Sequence, residues 1–447
     1  MTFVSAAVMA VAAACAPTQK APPPPSGPPQ VFTPPREIAP QIETLPSLDS
    51  DIKLTPPDTG GPIAVAFLAP LSGPTAPVGQ AMLNAAQMAL FDLGAALEGR
   101  EGRDITLMPR DTGGTVTGAQ QAAQDAIEAG AQLILGPLFS AEVEAVAPLA
   151  RSRGVPVVAF TNDYAVAGDG VYIIGFTPEQ QLGRVVNHAA SQGARRFAAI
   201  VPESVYGNRL TAALKSAVGA LNGEVTRVEV YDPALTTQGL SPVVRRLANY
   251  NQRHAALLAQ RKELTARNDE ASRAALRRLQ GAETLGEVDF DALVVSESGE
   301  ALKIIAPLLL FYDIDPRRVH TLGTIEWDSP ETWTEPALVG GWYPAPAPAS
   351  HEGFVAAYRE TYGQVPPPRA SLGYDATALA LVLARGGTRD VFSREALTAA
   401  NGFAGVDGIF RLTPAGVVER GLAVKEVGTR NSRVVSPAPQ TFEALTQ

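Results

Sequence analysis

The chain has one cysteine and four histidines in 447 residues. A single thiol excludes an internal disulfide, and His188, His254, His320 and His351 are too scattered to form a ligand-spaced metal set. No metal or other cofactor is therefore expected. Charge is also sparse: 18% of residues are Asp, Glu, Lys or Arg, with 36 Lys+Arg against 45 Asp+Glu for a net charge of −9. Without a long basic run there is no means of neutralising a phosphate backbone, so nucleic acid is excluded as a partner. Signatures of catalysis are missing too: no G-x-S-x-G elbow, no G-x-x-x-x-G-K-[ST] loop and no G-x-G-x-x-G after a strand occurs. Asp111-Thr112-Gly113 resembles the turn of an aspartic protease, but it occurs once, and that chemistry needs two carboxylates sharing a proton. The chain is not expected to be an enzyme.

What is abundant is apolar residues, at 46%, together with 40 Gly and 38 Pro. Such a composition over this length predicts two or three domains with ample material for a packed core. The prolines are unevenly spread, 14 of the 38 falling between Pro17 and Pro62. That stretch has little hydrophobic periodicity and reads as a semi-stiff linker biased to polyproline II, with an extended reach on the order of 100 Å. Ahead of it, Phe3 to Ala14 form an uncharged apolar run, too short to span a bilayer and suited to a signal peptide over residues 1–14. Small residues Ala12-Ala13-Ala14 directly precede Cys15, which resembles the lipobox of bacterial lipoproteins. The resemblance implies lipidation of Cys15, a membrane anchor, and residues 15–62 as anchor and linker. Position 12 is Ala where the family usually has Leu, and no Lys or Arg precedes the apolar run. The Ala after the cysteine leans, in that family, toward the outer membrane.

After Pro62 short apolar runs alternate with helical periodicity, the pattern of βαβ units and a parallel sheet. Strands are predicted at Ile63 to Pro70, Ile105 to Asp111, Leu133 to Pro137 and Val155 to Phe160, with helices at Gly79 to Leu93, Thr117 to Ala129 and Ala141 to Arg153. A second set repeats the pattern at Phe197 to Glu203, Glu224 to Asp232, Ala292 to Ser298 and Val319 to Thr324, with helices at Asn208 to Val218, Ser241 to Leu247 and Ala301 to Tyr312. The body is α/β, with two doubly wound lobes, and open sheets of this kind bind ligands beyond their strand carboxyl ends.

The stretches IAVAFLAPLSGPTAPVGQAMLNAAQMAL, LILGPLFSAEVEAVAPLARSRGVPVVAFTND, ESVYGNRLTAAL, SLGYDATALALVLAR and GVDGIFRLTPAGVVERGLAVKEV resemble type I periplasmic binding proteins of the Leu/Ile/Val-binding kind. The likeness implies two Rossmann-like lobes joined by a three-segment hinge: residues 63–165 plus 345–400, and 170–340 plus 404–447. It further implies a cleft lined by Ser72, Gly73, Ser140 and Thr161, which in amino-acid receptors of the family hold a ligand carboxylate, with Tyr206 on the opposite lobe. The alternative for Ser140 and Thr161 is a helix cap and a strand end. Glu297, Glu326 and Asp328 are candidates to face a ligand amine, or else caps and solvated loop residues.

Residues 245–281 stand apart, being dense in Arg, Lys and Glu, free of Pro and internal Gly, and carrying Leu257, Leu264 and Ala271 at heptad spacing. They read as one long helix or a helical hairpin, either a solvated insertion or a docking face on which Arg273, Arg277 and Arg278 meet a partner. An inserted charged helix, a proline tether and a lipid anchor on this body resemble the penicillin-binding protein activators, envelope lipoproteins that stimulate peptidoglycan synthases. That resemblance implies a synthase as partner and a periplasmic, outer-membrane-anchored location. The alternative is the substrate-binding lipoprotein of an ABC transporter for branched-chain amino acids or amides.

Overall fold

The computed structural model describes residues 61–97, 99, 102–386 and 390–442. The signal peptide, Cys15 and the proline-rich linker lie outside the described residues.

The first lobe opens with β1 (Ile63–Ala69), α1 (Ala76–Ala96), β2 (Ile105–Asp111), α2 (Val116–Glu128), β3 (Leu133–Leu135), α3 (Ser140–Ser152), β4 (Val157–Ala159) and β5 (Val171–Ile173). These five strands form a parallel sheet of order β2-β1-β3-β4-β5. Helices cover both faces, which explains why β1 reads as an unbroken apolar run. Ile63, Val65, Phe67 and Ala69 enter the core on one face, and Ala66 and Leu68 enter that on the other.

The second lobe begins with α4 (Pro178–Ser191), β6 (Arg196–Pro202), α5 (Val205–Ala220), β7 (Glu224–Tyr231), α6 (Thr237–Leu247), α7 (Tyr250–Arg267), α8 (Glu270–Arg278), β8 (Ala292–Val295), α9 (Gly299–Phe311), β9 (His320–Leu322), the short α10 (Pro330–Trp333) and β10 (Trp342–Ala345). The chain then returns to the first lobe with α11 (Pro348–Tyr362) and α12 (Ala370–Ala384), both packed against α1, followed by the short α13 (Arg394–Leu397). β11 (Phe403–Gly405), β12 (Gly408–Leu412) and β13 (Val418–Arg420) form a small antiparallel sheet, and β14 (Ala423–Val427) and β15 (Ser432–Ser436) complete the second sheet, of order β15-β14-β10-β9-β8-β6-β7.

Three boundaries differ from the sequence expectation. β5 is the fifth strand of the first sheet, beyond the expected boundary at 165. β10 is hydrogen-bonded into the second sheet, so the return crossing follows Ala345, a few residues beyond the expected end of that segment at 340. The expected second-lobe segment begins at 404, yet Phe410, Leu412 and Val418 are buried in the first core. Their apolar alternation fixes a strand but not the sheet it joins.

The charged insertion is a hairpin. Asn268 takes a left-handed conformation that ends α7, and Asp269 caps α8 by accepting the Ser272 N–H at 2.7 Å. The break turns Ala271 outward, so the expected heptad stripe stops at Leu257 and Leu264, both buried. Arg253, 8% exposed, ties α7 down through the carbonyls of Ala248 and Gly286 and the Asp313 carboxylate at 3.2 Å.

Candidate functional site

Strand order alone creates a crevice in each lobe. β1 lies between β2 and β3, so the chain leaves β1 and β3 toward opposite faces, and their carboxyl ends flank a switch point. Ser72 and Gly73 follow β1, and Ser140 follows β3. In the second lobe β6 lies between β7 and β8, and the same rule brings Tyr206, in the first turn of α5, and Glu297, just past β8, to a second switch point.

The loop after β1 turns at Gly73, whose φ of 78° is left-handed. Two of its amides are already engaged: Asp111 Oδ1 accepts the N–H groups of Leu71 at 2.8 Å and Ser72 at 3.2 Å, along with that of Gly113 in its own loop at 2.7 Å. Partial burial raises the Asp111 pKa, but the Ser72 hydroxyl and these three amides outweigh it and hold the carboxyl below the usual range. The loop after β3 passes so close to β1 that a Cβ on Gly136 would stand 2.1 Å from the Leu68 carbonyl oxygen, at a φ of 99°. Only glycine fits.

Ser140 does not cap α3. Phe139 holds the N-cap position, Ser140 is the first helical residue, and Glu142 reaches back to the Phe139 N–H at 3.4 Å. Glu142 is 1% exposed; burial raises its pKa, partly offset by the Thr112 hydroxyl and the amides of Phe139 and Leu138. Thr161 lies two residues past β4, buried, with its hydroxyl accepting the Asp163 N–H at 3.1 Å.

Opposite stands an acidic wall. Tyr206 is half-buried, and its hydroxyl is pushed up to about 12 by burial first and then by Glu326 and Glu297. The Glu297 side chain bonds the Tyr231 hydroxyl, and its carbonyl accepts the Trp327 indole N–H at 2.9 Å. Asp328 is turned to other work, paired with Lys425 at 2.7 Å and accepting the Tyr343 hydroxyl at 3.0 Å.

Among the described residues two ion pairs join the lobes. Asp163, just beyond Thr161, pairs with Arg209 of α5, whose guanidinium also lies 5.3 Å from the Tyr164 ring centroid. Arg369, at the start of α12, pairs with Glu326 at 3.5 Å. Sequence reasoning missed Glu142, Asp163, Arg209 and Arg369. Only the Glu142 position carried a signal, an acidic residue at the third position of a helix. A cross-lobe pair depends on two chain segments meeting in space and leaves no local pattern.

Within the second lobe Arg273, Arg277 and Arg278 are exposed along α8, and among the described residues no ion pair engages them. Residues 250–278 hold seven Lys/Arg against three Asp/Glu, a positive island on an acidic protein.

Compared with known proteins, residues 62–289, half of the chain, match the family model described as periplasmic binding protein. The chain belongs to that family. Membership places it outside the cytoplasm, in the periplasm or an equivalent space, and no helix among the described residues is long and apolar enough to cross a membrane. An uncharacterized protein of Rickettsia prowazekii is 24% identical over 194 residues, which cover 42% of this chain and 47% of that one, so the chain spans about half the length of the curated relative it matches. The fold is shared with an ABC transporter substrate-binding protein of Sphaerobacter thermophilus (TM-score 0.62, 17% identity, 84% of this chain and 96% of that one). It is shared also with the branched-chain amino acid substrate-binding protein LivJ of Streptococcus pneumoniae, solved with isoleucine (TM-score 0.55, 19% identity, 84% and 100%). A solute-binding protein of Rhodopseudomonas palustris, solved with 3,4-dihydroxybenzoic acid, is similar too (TM-score 0.57, 18% identity, 85% and 97%). These structural neighbours are binding proteins rather than enzymes.

Proposed function

We propose that this periplasmic binding protein is a regulator that docks on another envelope protein, a peptidoglycan synthase of the penicillin-binding class, and raises its activity. The observation that carries the reading is that the chain's own side chains occupy its cleft. Asp111 takes the amides at the first switch point, Glu142 takes the amide that opens α3, and Asp163–Arg209 and Glu326–Arg369 clasp the lobes. A solute carboxylate entering here finds the amides of Leu71, Ser72 and Phe139 already taken and the exposed Asp111 carboxylate in its way. The exposed arginines of α8 then supply the docking face, because a guanidinium offers a carboxylate two parallel hydrogen bonds. Lipidation of Cys15 belongs to the same proposal, the proline-rich segment carrying the body away from the membrane to its partner.

The cluster of Tyr206, Glu297 and Glu326 favours a second reading, a receptor whose acidic wall takes the amine of an amino acid. A thermal-shift screen of amino acids, amides and hydroxybenzoates separates the two. A receptor gains RT ln(1 + [L]/Kd), about 2.7 kcal/mol at a hundredfold excess over Kd, which moves the melting temperature by several degrees. The regulator is expected to stay within experimental scatter for every compound. A stabilising hit that disappears in the Ser140→Ala, Glu297→Gln double variant decides for the receptor.

A further inference from the structure

The three segments that link the lobes converge on one buried charge cluster. The first, leaving β5, passes through Ile174 and Phe176; the second, leaving β10, through Ala347; the third runs from Arg420 at the end of β13 into β14. The Arg420 side chain has no exposed surface, and its Nε and one Nη donate to the Ile174 carbonyl at 3.3 and 2.8 Å. The other Nη meets Asp375 Oδ2 at 3.3 Å, and the guanidinium lies 4.7 and 5.1 Å from the ring centroids of Phe176 and Phe410. Asp375, equally buried on α12, accepts the Val406 N–H at 2.7 Å. The turn between β11 and β12 sits directly on it, since a Cβ on Gly405 would fall 2.5 Å from its Oδ1. Asp407 closes the circuit: its main-chain carbonyl accepts the Ala347 N–H at 3.1 Å, and its buried carboxylate holds His351 Nδ1 at 2.7 Å.

We infer that this cluster is a proton-dependent clasp on the hinge, gripping all three crossings when it holds one exchangeable proton and loosening them when that proton leaves. The reasoning is a charge count around three side chains shut off from water, Arg420, Asp375 and Asp407, with His351 about a quarter exposed at the edge. Two carboxylates face one guanidinium, so the cluster is neutral only when a proton sits on His351 or on a carboxyl group; without it a net negative charge is buried, which is costly. Asp328 of the loop after β9 and Lys425 of β14 are the other charged groups that act on His351, and they pair with each other at 2.7 Å. Burial first, then Asp407, raises Asp375 to about 7 against the opposing pull of Arg420. Burial lowers His351, but its hydrogen bond to Asp407 and the charges of Asp407 and Asp328 raise it overall. The signs agree. A carboxyl or an imidazole whose pKa is raised by folding favours the folded clasp in acid, and the advantage is lost as pH climbs through the folded pKa, near 7 for Asp375. This inference concerns the hinge and holds whether the protein serves a synthase or a solute.

The test is a lobe-to-lobe distance measurement by double electron–electron resonance on the full chain carrying Cys15→Ser, with spin labels at Glu128→Cys on α2 and Lys215→Cys on α5, both exposed. Spectra are taken at about pH 5.5 and about pH 8.5, either side of the Asp375 titration. The expected result is a narrow distance distribution in acid that becomes longer and broader in base. Asp375→Asn, which makes the cluster neutral without a proton, is expected to stay narrow at both values. His351→Gln removes one of the two homes of the proton and is expected to move the midpoint of the change to lower pH. An identical distribution at both values in the otherwise unaltered chain overturns the inference. So does an undiminished response in Asp375→Asn, or an unmoved midpoint in His351→Gln should the first variant fail to fold.

Discussion

Arg420→Met is expected to lose about 3–5 kcal/mol of stability near pH 8, the cost of leaving a buried carboxylate without its cation. Met approximates the length of the arginine stem and keeps the contacts with Phe176 and Phe410, so packing is a minor part of the loss. The pH dependence identifies the cause. With its guanidinium gone, Asp375 folds only in its protonated form, and protonation is free below the unfolded carboxyl pKa of 3.8 but opposed with rising pH above it. Urea unfolding should therefore find a modest deficit near pH 5 that widens toward pH 8. Adding Asp375→Leu should recover most of the loss, because replacing both members of a buried pair by apolar groups is often neutral. A deficit equal at both pH values, or one left intact by the second substitution, would mean that packing alone was damaged.

The second large effect is on association. If the proposed docking on a synthase holds, reversing Arg273, Arg277 and Arg278 to Glu is expected to weaken that binding at least tenfold, about 1.4 kcal/mol. Interfaces concentrate their energy in a few such residues, and reversal adds repulsion to the lost attraction. All three side chains are exposed, and exposed substitutions shift stability by about 0.5 kcal/mol or less, so the melting temperature should hold within a few degrees. The weakening should be larger at low salt, since at 0.1 M the screening length is already about 10 Å. Biolayer interferometry against the immobilised synthase at two salt concentrations provides the check, and a salt-independent loss would point to a misfolded hairpin instead.

Much of this architecture was legible because parallel strands covered on both faces are short apolar runs between helical stretches. Ile63 to Ala69 and Phe197 to Pro202 are such runs, and both are strands of the sheets. What escaped was long-range or very short. β5 is three residues among glycines and reads as a loop. β10 holds a proline and pairs across the sheet with β14, about eighty residues further on. At the switch points the loops were legible from Ser-Gly-Pro and Gly-Pro, but not that Asp111 already fills the first of them, since an Asp after a strand is equally a turn residue. The hinge cluster left one trace, a lone Asp375 within the apolar run of α12. Its partners come from segments 31 and 45 residues away, and no local pattern joins them.

The most direct measurement of the central claim is the rate at which a purified bifunctional synthase from the same cell envelope polymerises glycan strands, titrated with the full chain in detergent. Saturable acceleration, lost in the Arg273→Glu, Arg277→Glu, Arg278→Glu variant and unaffected by added amino acids, is the result predicted for a docking regulator. A rate that stays flat across the titration, with a folded chain and an active synthase, would contradict it.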